Sequence, residues 1–305
     1  MQIIITGSSG LIGRALTTTL EKQGHTVRRM VRRPTVDPSE IYWDPGNNLL
    51  DPNTLVGSDA VVHLAGTGIG ERRWTKNRMN QILESRTRGT QLISSALTKA
   101  RPIGGPNVLI SSSAIGFYGD TGENFVDEKC TSGNGFLANV CAAWEDSTKD
   151  AEAAGIRVAH CRTGVVLSSS GGILPKLLPL FRLGLGGRNG SGQQFMSWIS
   201  MTDEISALIW LIEKNISGAV NLVAPEPVTN AEFTKTLGSV LRRPAKLVIP
   251  SNVPAVLYGR QMVREVLMAS TRAKPQVLES SDFVFRYPLL KDALISEIQT
   301  LKRKK

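Results

Sequence analysis

The 305-residue sequence contains only three cysteines, Cys130, Cys141 and Cys161. Their number is odd and no two of them form a CxxC pair, so the sequence argues against a disulfide framework and against a structural zinc site. We therefore expect no bound metal. Sparse and unpaired cysteines are typical of reducing compartments, which favours a cytoplasmic location.

Long apolar runs are also missing. No stretch reaches the roughly 18 consecutive apolar residues that a membrane-spanning helix needs. The amino-terminal sequence MQIIITGSSG has no charged region ahead of a long apolar core. This pattern predicts neither a signal peptide nor insertion into a membrane.

Aromatic residues make up only 6% of the chain. The net charge of +10 and the sequence pI of about 9.7 permit contact with phosphorylated ligands, anionic lipid or nucleic acid. However, the basic clusters at 28–33 and in the tail 299–305 are not interleaved with aromatic residues, as those of a single-strand binder would be. We therefore expect no nucleic-acid partner and interpret the tail as a solvated chain end.

The chain does have a globular composition, with 41% apolar and 20% charged residues. Strand-like runs alternate with helical patterns at 11–23, 76–100 and 136–154. The strand-like runs lie at 2–6, 26–31, 41–43, 60–65, 107–111, 156–161 and 165–167. Strands that alternate with helices form a parallel sheet covered on both faces, so we predict an α/β fold with a Rossmann-type doubly wound parallel sheet.

The pattern changes near residue 168, where glycines, prolines and further helices take over. We predict a Rossmann domain over residues 1–167, a smaller C-terminal substrate lobe over 168–298 and a basic tail over 299–305. Residues 219–223 have the pattern of a strand that returns to the sheet. The glycine loop at 184–192 and Trp198 are expected to shape a substrate pocket between the lobes, although Trp198 suits a core position equally well.

The most specific motif is TGSSGLIG at 6–13, which follows an apolar strand and opens a helix. Gly7 allows a tight turn, Gly10 lets the backbone approach a pyrophosphate, and Gly13 lets helix and strand pack closely. The helix start then offers unpaired N–H groups to phosphates. The spacing is GxxGxxG, and the alternative is a glycine-rich turn without a ligand.

The end of the second strand indicates which cofactor the loop prefers. NAD sites usually place an Asp or Glu there to hold the ribose 2′-hydroxyl, whereas this segment reads VRRMVRR and has no acid. A guanidinium from Arg32 or Arg33 suits a 2′-phosphate, which favours NADP(H). Arg28 and Arg29 are expected to be solvated, and a plain surface role for Arg32 stays open.

Several motifs resemble the extended short-chain dehydrogenase/reductase superfamily, in its NAD-dependent epimerase/dehydratase class. They are TGSSGLIG at 6–13, HLAG at 63–66 and SSSAIGFYG at 111–119. Five more resemble an atypical branch that includes a human epimerase family protein of the 39U class and bacterial proteins labelled cell division inhibitors. These are GERRWT at 70–75, ESRTRGT at 84–90, FRLGLGG at 181–187, GSGQQFMSWI at 190–199 and NLVAPEPVTNAEF at 221–233.

The C-terminal segment of unknown function in that branch resembles residues 252–298 of this chain. Asp282 departs from the branch, which usually shows Gly before the Phe at 283. The resemblance implies cofactor contacts along the carboxyl edge of the sheet. Together with the loop and the two arginines, the expected cofactor residues are Gly7, Ser9, Gly10, Leu11, Ile12, Gly13, Arg32, Arg33, Leu64, Ala65, Gly66, Gln81, Arg86, Ser111, Arg162 and Thr163.

Two of these positions have alternatives from the residues themselves. Arg86 falls on an apolar helical stripe, where a charge needs a partner. A cofactor phosphate is one candidate, and a side chain that snorkels to solvent is the other. His63, just before Leu64, lies in an apolar strand and is interpreted as a packed core residue.

The catalytic pair of the superfamily is missing from the expected place. Its members use a Ser or Thr with Tyr-x-x-x-Lys, in which the lysine lowers the pKa of the tyrosine. Alignment on Glu145 places Cys141 at the lysine position and Leu137 at the tyrosine position. Ser112 or Ser113 remains as a hydroxyl donor and Tyr118 as an auxiliary acid, with a pKa expected near 10 if no cation is close. The acidic residues Glu123, Asp127 and Glu128 are interpreted as a solvated loop.

Two classes of function follow. The leading interpretation is an NADP(H)-binding oxidoreductase or epimerase-like enzyme that acts on an unknown small molecule. The alternative keeps the fold and the cofactor but acts as an NADPH-sensing regulator, connected to cell division only through the label of relatives. Many relatives pair through helices, so a homodimer is left open.

Overall fold

The structure is a computed structural model that describes residues 1–303, so the last two residues of the predicted basic tail lie outside the described residues. The strands are β1 (Gln2–Thr6), β2 (Thr26–Val31), β3 (Glu40–Tyr42), β4 (Ala60–His63), β5 (Val108–Ala114), β6 (Phe125–Val126), β7 (Arg157–Thr163), β8 (Val165–Leu167), β9 (Gly187–Asn189), β10 (Phe195–Met196), β11 (Trp198–Ser200), β12 (Gly218–Leu222), β13 (Val228–Thr229), β14 (Leu247–Ile249) and β15 (Arg272–Ala273).

The helices alternate with these strands over most of the chain. They are α1 (Leu11–Lys22), α2 (Lys76–Ala100), α3 (Phe136–Asp146), α4 (Lys149–Ala153), α5 (Leu174–Arg182), α6 (Met201–Glu213), α7 (Asn230–Leu241), α8 (Asn252–Tyr258), α9 (Arg260–Met262), α10 (Gln276–Ser280) and α11 (Leu290–Arg303). Among the described helices, none is long and apolar enough to cross a bilayer.

Seven parallel strands form the central sheet in the order β12-β7-β5-β4-β1-β2-β3. The chain runs outward from β1 to β3 and then returns to β4, so the strand order reverses between β1 and β4. Ligands of doubly wound sheets bind at such a switch point, outside the carboxyl ends of the strands. The predicted doubly wound α/β fold is confirmed.

Successive residues of β1 point to opposite faces of the sheet and enter different cores. Ile3 and Ile5 pack with α1 and α6, whereas Ile4 packs with α2 on the other face. Every one of these three side chains is fully buried. A strand buried on both faces reads as a continuous apolar run, which is why the sequence showed this one clearly.

The predicted return of residues 219–223 to the sheet is confirmed, because β12 pairs with β7 at the edge. Two other expectations were wrong in detail. Residues 165–167 do not extend the main sheet but pair with β11 in a separate two-stranded sheet. The helical pattern at 136–154 is broken at 147–148 into α3 and α4. The division at residue 167 stays a prediction.

The remaining chain builds a separate apolar core from α5, α7 and α11 around β8 and β11. Trp198 is fully buried in that core, so the expectation that it shapes a substrate pocket was wrong. Asp282 has a φ of +61°, in the left-handed region that favours glycine. This conformation suits the glycine that the resemblance leads one to expect at this position.

Candidate functional site

The glycine loop lies at the switch point, between the end of β1 and the start of α1. Gly7 has a φ of +66°, and a Cβ there would lie 2.8 Å from the backbone of Leu64. A Cβ on Gly13 would lie 2.2 Å from the carbonyl oxygen of Gly7. Both positions therefore require glycine for the loop to close against β4 and α1.

Gly10 differs from these two glycines because its backbone suits any residue, although an added Cβ would meet one backbone atom closely. Its backbone is extended, with φ −73° and ψ 176°, and the closest atom to an added Cβ is the Gly7 carbonyl oxygen at 3.1 Å. It is the N-cap of α1, yet no side chain caps this helix and no acid lies in its first turn. The helix therefore presents free N–H groups and the positive end of its dipole to the crevice.

Thr6 ties the ends of β1 and β4 together, a role that the sequence did not reveal. Its hydroxyl oxygen accepts the N–H groups of Leu64 and Ala65, both at 3.1 Å, and the hydroxyl is hydrogen-bonded to Nδ1 of His63 at 2.7 Å. His63 is fully buried, and burial lowers the pKa of its imidazole to about 3. His63 is thus a core residue, as predicted, and the bonds to Thr6 fix the backbone of Leu64 and Ala65 beside the glycine loop.

The two arginines after β2 have different contacts in the structure. Arg33 forms a bidentate ion pair with Glu40, with N–O distances of 2.8 and 2.5 Å. Arg32 is exposed and makes no hydrogen bond or close ion pair with any residue that the structure describes, although its charge helps to lower the pKa of Asp44. Of the pair, Arg32 is therefore the guanidinium free to contact a ligand. Arg28, expected to be solvated, instead donates to the Thr54 carbonyl at 2.6 Å.

Arg86 lies on α2 and reaches toward the residues after β4. Its Nη1 donates to the carbonyl oxygens of Thr67 and Ile82, at 3.0 and 3.1 Å, and its guanidinium stacks 4.9 Å from the Trp144 ring. A Cβ on Gly66 would be 3.6 Å from the guanidinium carbon. No carboxylate of the described chain pairs with Arg86, and burial lowers the pKa of its guanidinium. Gln81, one turn earlier, is exposed.

The serines of β5 point alternately to the two faces of the sheet. Ser113 points toward α3 and donates to Oε1 of Glu145 at 2.6 Å. Ser111 is fully buried, and its hydroxyl has no partner within the described chain. Ser112 is half-buried on the opposite face, at the carboxyl end of the sheet. The three candidate hydroxyls therefore do not converge on one point.

A buried ion pair connects α3 to the end of β7. Arg162 is 4% exposed and binds Glu145 through two bonds, Nε to Oε1 at 2.9 Å and Nη2 to Oε2 at 2.8 Å. Its guanidinium carbon lies 3.5 Å from the centre of the Phe117 ring. In the sequence, Glu145 served only to align the helix with the Tyr-x-x-x-Lys motif, and its ion pair was not predicted. The side chain of Arg162 is committed to these partners, so it can approach a cofactor only through its backbone.

Tyr118 is joined to the same pair. Its hydroxyl accepts from Nη1 of Arg162 at 2.9 Å and donates to Oδ1 of Asn221 on β12 at 2.7 Å. The condition for a pKa near 10, the absence of a close cation, is therefore not met. Burial nevertheless raises the pKa of Tyr118 to about 12, although Arg162 and the two hydrogen bonds act to lower it. Tyr118 is therefore a neutral phenol at physiological pH.

Leu137 and Cys141 occupy the positions where the superfamily is expected to have its catalytic tyrosine and lysine. Both lie on the face of α3 that packs against residues 115–118. A Cβ on Gly116 would lie 3.4 Å from the Leu137 side chain and 3.8 Å from the Cys141 sulfur. Cys141 is 4% exposed, and burial raises the pKa of its thiol to about 12. Neither side chain can lower the pKa of a neighbouring hydroxyl. The thiol is also protonated and unreactive at neutral pH.

A cleft of about 320 Å³ opens beside this helix. Gly116 and Gly119 form one wall, Gly135 and Leu137 at the start of α3 form another, and residues 264–271 close the third side. Glu265 supplies the cap that α3 lacks, because its Oε2 accepts the N–H of Leu137 at 2.9 Å. The expected glycine loop at 184–192 does not line this cleft.

The acidic loop before the cleft is only partly solvated, which corrects the expectation. Glu128 accepts the backbone N–H groups of Asn221 and Val277 at 3.0 and 3.2 Å, and burial raises the pKa of its carboxyl. Glu128 thus fastens the C-terminal segment to the edge of the sheet, whereas Glu123 remains exposed.

Comparison with known proteins assigns the chain to a family. The family model described as "NAD dependent epimerase/dehydratase family" matches residues 3–223. This chain belongs to that family. A model described as "Domain of unknown function (DUF1731)" matches residues 249–296, which include the third wall of the cleft.

Similar proteins cover almost the whole chain. The epimerase family protein Mb2239 of Mycobacterium bovis is 44% identical over 293 residues, 96% of each chain. The human epimerase family protein SDR39U1 is 35% identical over 299 residues, 96% of this chain and 98% of its own. A crystal structure of the human protein (isoform 2) with NADPH has a TM-score of 0.88, with 33% identity, and covers 98% of this chain and 99% of that one.

One acid of this epimerase/dehydratase family member is buried without a charged partner. Glu204 on α6 is 1% exposed, and its Oε1 accepts from Thr163 Oγ1 at 3.0 Å. Its Oε2 has no hydrogen-bond partner among the described residues. Burial raises the pKa of Glu204 from 4.5 to about 8, with the bond from Thr163 opposing. Glu204 is therefore mostly protonated at neutral pH.

This raised pKa predicts a pH-dependent stability. The folded state holds the Glu204 proton more tightly than the unfolded state, so its contribution is complete below the unfolded pKa and is lost as the pH rises toward 8. We expect the free energy of unfolding to fall by about 3 kcal/mol between pH 5 and pH 8 from this group. In Glu204→Gln, urea denaturation at several pH values should no longer show this dependence of the free energy of unfolding on pH. Glu213→Gln, exposed on the same helix, is the control and should keep the dependence; an unchanged dependence in Glu204→Gln would contradict the assignment.

Proposed function

We propose that this chain is an NADP(H)-dependent oxidoreductase or epimerase-like enzyme acting on a small molecule. The observation that carries the proposal is the uncapped start of α1 at Gly10. It lies between Gly7 and Gly13, where an added Cβ would clash with neighbouring backbone atoms. Backbone N–H groups and the helix dipole at this point suit the pyrophosphate of a dinucleotide. Ser9, Leu11 and Ile12 supply the neighbouring backbone.

The choice of NADP(H) over NAD(H) rests on Arg32. No acid ends β2, and Arg32 is the exposed guanidinium that no described residue binds. A 2′-phosphate on the adenosine ribose would give it a bidentate partner, whereas an unmodified ribose would not. The NADPH in the crystal structure of the human relative supports the same choice. Arg33 contributes by holding the loop through Glu40.

Further cofactor contacts are proposed along the carboxyl edge of the sheet. The backbone of Leu64, Ala65 and Gly66 would line the adenosine and pyrophosphate, with Arg86 beside Gly66. Because Arg86 is bound only by carbonyl oxygens and an aromatic ring, a cofactor phosphate would supply the missing anion. Further contacts are proposed from Gln81, Ser111 and the strand end at Arg162 and Thr163.

When bound, the nicotinamide supplies the hydride chemistry, and the chain has only to orient the substrate and move a proton. We propose Ser112, whose hydroxyl is not held by any described residue, as the hydrogen-bond donor to the substrate oxygen. Ser113 donates a hydrogen bond to Glu145, and Tyr118 accepts one from Arg162. The Glu145–Arg162 ion pair therefore connects the hydroxyls of Ser113 and Tyr118 in a largely buried position. A phenol with a pKa near 12 can donate a proton but is a poor base at neutral pH.

The substrate is proposed to enter through the cleft between Gly116, the start of α3 and residues 264–271; Ser112 and Tyr118 do not line this cleft, so their proposed roles require the substrate to extend beyond it. Its volume, about 320 Å³, suits a small molecule. The proposal includes a cytoplasmic location. A homodimer is an assembly to be tested by analytical ultracentrifugation.

A second function is favoured by Leu137 and Cys141. Neither can activate a hydroxyl, and Cys141 is a buried neutral thiol. A chain that binds the cofactor without fast turnover would act as an NADPH-sensing regulator. A link to cell division has no support beyond the label of related sequences.

The test is a turnover assay with a metabolite extract and either NADPH or NADP⁺, read by chromatography with mass spectrometry that resolves epimers. We expect a product from the intact protein and at least about a tenfold loss of rate in Tyr118→Phe and in Ser112→Ala. Phe125→Leu, on an exposed strand outside the cleft, is the control. Full turnover by Tyr118→Phe would remove its role as acid. Absence of any product while NADPH binds would favour the regulator.

A further inference from the structure

Exposed apolar side chains are concentrated on one part of the smaller lobe. Of the seventeen large apolar residues that are exposed in the described chain, eight lie within residues 180–185 and 247–257. Six of them define what we call the basic apolar face: Leu183, Leu185, Leu247, Val248, Val256 and Leu257. Leu183 and Val256 are each 74% exposed. Single exposed apolar residues are ordinary, but a contiguous group marks an interaction surface.

These two segments are neighbours in space. β14 pairs with β9, with Leu247 opposite Gly187, and the N–H of Leu247 donates to the Gly186 carbonyl at 3.3 Å. A Cβ on Gly184 would lie 3.3 Å from the Pro244 ring. Helix α8, which carries Val256 and Leu257, begins three residues after β14 ends. The exposed apolar residues of 183–185 and 247–248 therefore lie side by side, and those of α8 follow within a few residues of chain.

The charge around this face has one sign. Residues 242–264 contain five arginines and lysines and no acid. All five are exposed; Arg264 pairs with Glu265, and the other four are Arg242, Arg243, Lys246 and Arg260. None of these four forms an ion pair within the described chain. Their charges are thus free for an anionic partner.

The combination of aliphatic and basic residues restricts the partner. A second copy of this chain would bring two basic surfaces together, which like-charge repulsion opposes. Nucleic acid offers phosphates, but its bases prefer aromatic side chains to valine and leucine. An anionic lipid surface offers both negative headgroups and an apolar layer just beneath them.

We propose that the basic apolar face docks this protein on an anionic lipid surface, lying on the membrane without spanning it. Val256 and Leu257 enter the headgroup boundary, and the four basic side chains contact the lipid phosphates and carboxylates. Residues 264–271, which line the cleft, follow α8 in the chain, so docking holds the cleft close to the lipid surface. The proposal is independent of the cofactor and of turnover.

The test is co-sedimentation of the full chain with phosphatidylcholine vesicles, with and without about one third phosphatidylserine. We expect at least about tenfold tighter binding to the anionic vesicles, and we expect binding to weaken strongly when salt rises from about 0.1 M to about 0.5 M. Val256→Ser/Leu257→Ser should lose about tenfold or more of the affinity. Val284→Ser/Leu289→Ser, exposed elsewhere, is the matched control and should bind as the unchanged protein does.

Two further double variants test the contribution of the basic side chains. Arg243→Gln/Lys246→Gln should weaken binding by about tenfold, whereas Lys22→Gln/Lys99→Gln, which changes the net charge equally, should have a smaller effect. NADPH affinity should stay constant in all four variants, which shows that each is folded. Equal binding to neutral vesicles, or equal losses in the matched controls, would overturn the proposal. So would a dimer that Val256→Ser/Leu257→Ser converts to a monomer without any vesicle binding, since a second copy would then cover the face.

Discussion

Replacing Arg162 by methionine is expected to lower the free energy of unfolding by about 3 kcal/mol, because Glu145 is left as a largely buried carboxylate that keeps its bond from Ser113 but has no cation. The change also removes the donor to Tyr118 and the stacking on Phe117. Three elements that the fold brings together, α3, β7 and the turn at 115–118, lose their common partner. Urea denaturation with a fluorescence readout measures the effect.

The matched double variant separates the charge from the packing. Arg162→Met/Glu145→Gln removes the stranded carboxylate and should recover a large part of the lost stability, since replacing a whole buried pair costs much less than breaking it. Arg88→Met removes an exposed arginine whose pair with Glu84 is solvated, and should change stability by less than about 1 kcal/mol. A similar small effect for Arg162→Met would contradict the importance of the buried pair.

The second large effect is expected from Gly10→Asp, which should weaken NADPH binding strongly and change the free energy of unfolding little. NADPH affinity should fall by at least about a hundredfold, because a carboxylate at the start of α1 repels the pyrophosphate and occupies its place. Stability should change by no more than about 1 kcal/mol, because the new N-cap side chain offsets the tight contact of its Cβ with the Gly7 carbonyl oxygen. Gly10 has an extended backbone that any residue adopts, and Asp is a favourable N-cap for a helix that lacks one.

Isothermal titration calorimetry and urea denaturation together test this prediction. Thr229→Asp, which places the same charge at the N-cap of α7, is the control and should leave NADPH affinity unchanged. Loss of affinity together with unfolding would show that Gly10 is a structural glycine. Retained affinity in a folded Gly10→Asp protein would exclude the start of α1 as the phosphate site.

The sequence predicted the sheet well because its strands are buried on both faces and read as apolar runs. The glycine loop was equally visible, since its three glycines have a fixed spacing, and Gly7 and Gly13 are each required sterically in the structure. The break between α3 and α4 was harder to see. Thr148, at the break, is fully buried and bonded to His160, a tertiary contact without a local signal.

The ion pair at the centre of the site could not be predicted from spacing. Glu145 and Arg162 lie on a helix and on the strand that follows it, and only their packing brings the side chains within 3 Å. Asn221, which completes the contacts of Tyr118, comes from a strand more than 100 residues further along the chain. The role of Thr6 was hidden for the same reason, because its partners come from β4.

The measurement that tests the central claim most directly is a calorimetric titration of the unmodified protein with NADPH and, separately, with NADH. The account predicts that NADPH binds at one site per chain and at least about tenfold more tightly than NADH, because Arg32 gains a phosphate partner only from NADPH. Equal affinities would contradict the role of Arg32. Absence of binding by both would contradict the cofactor site itself.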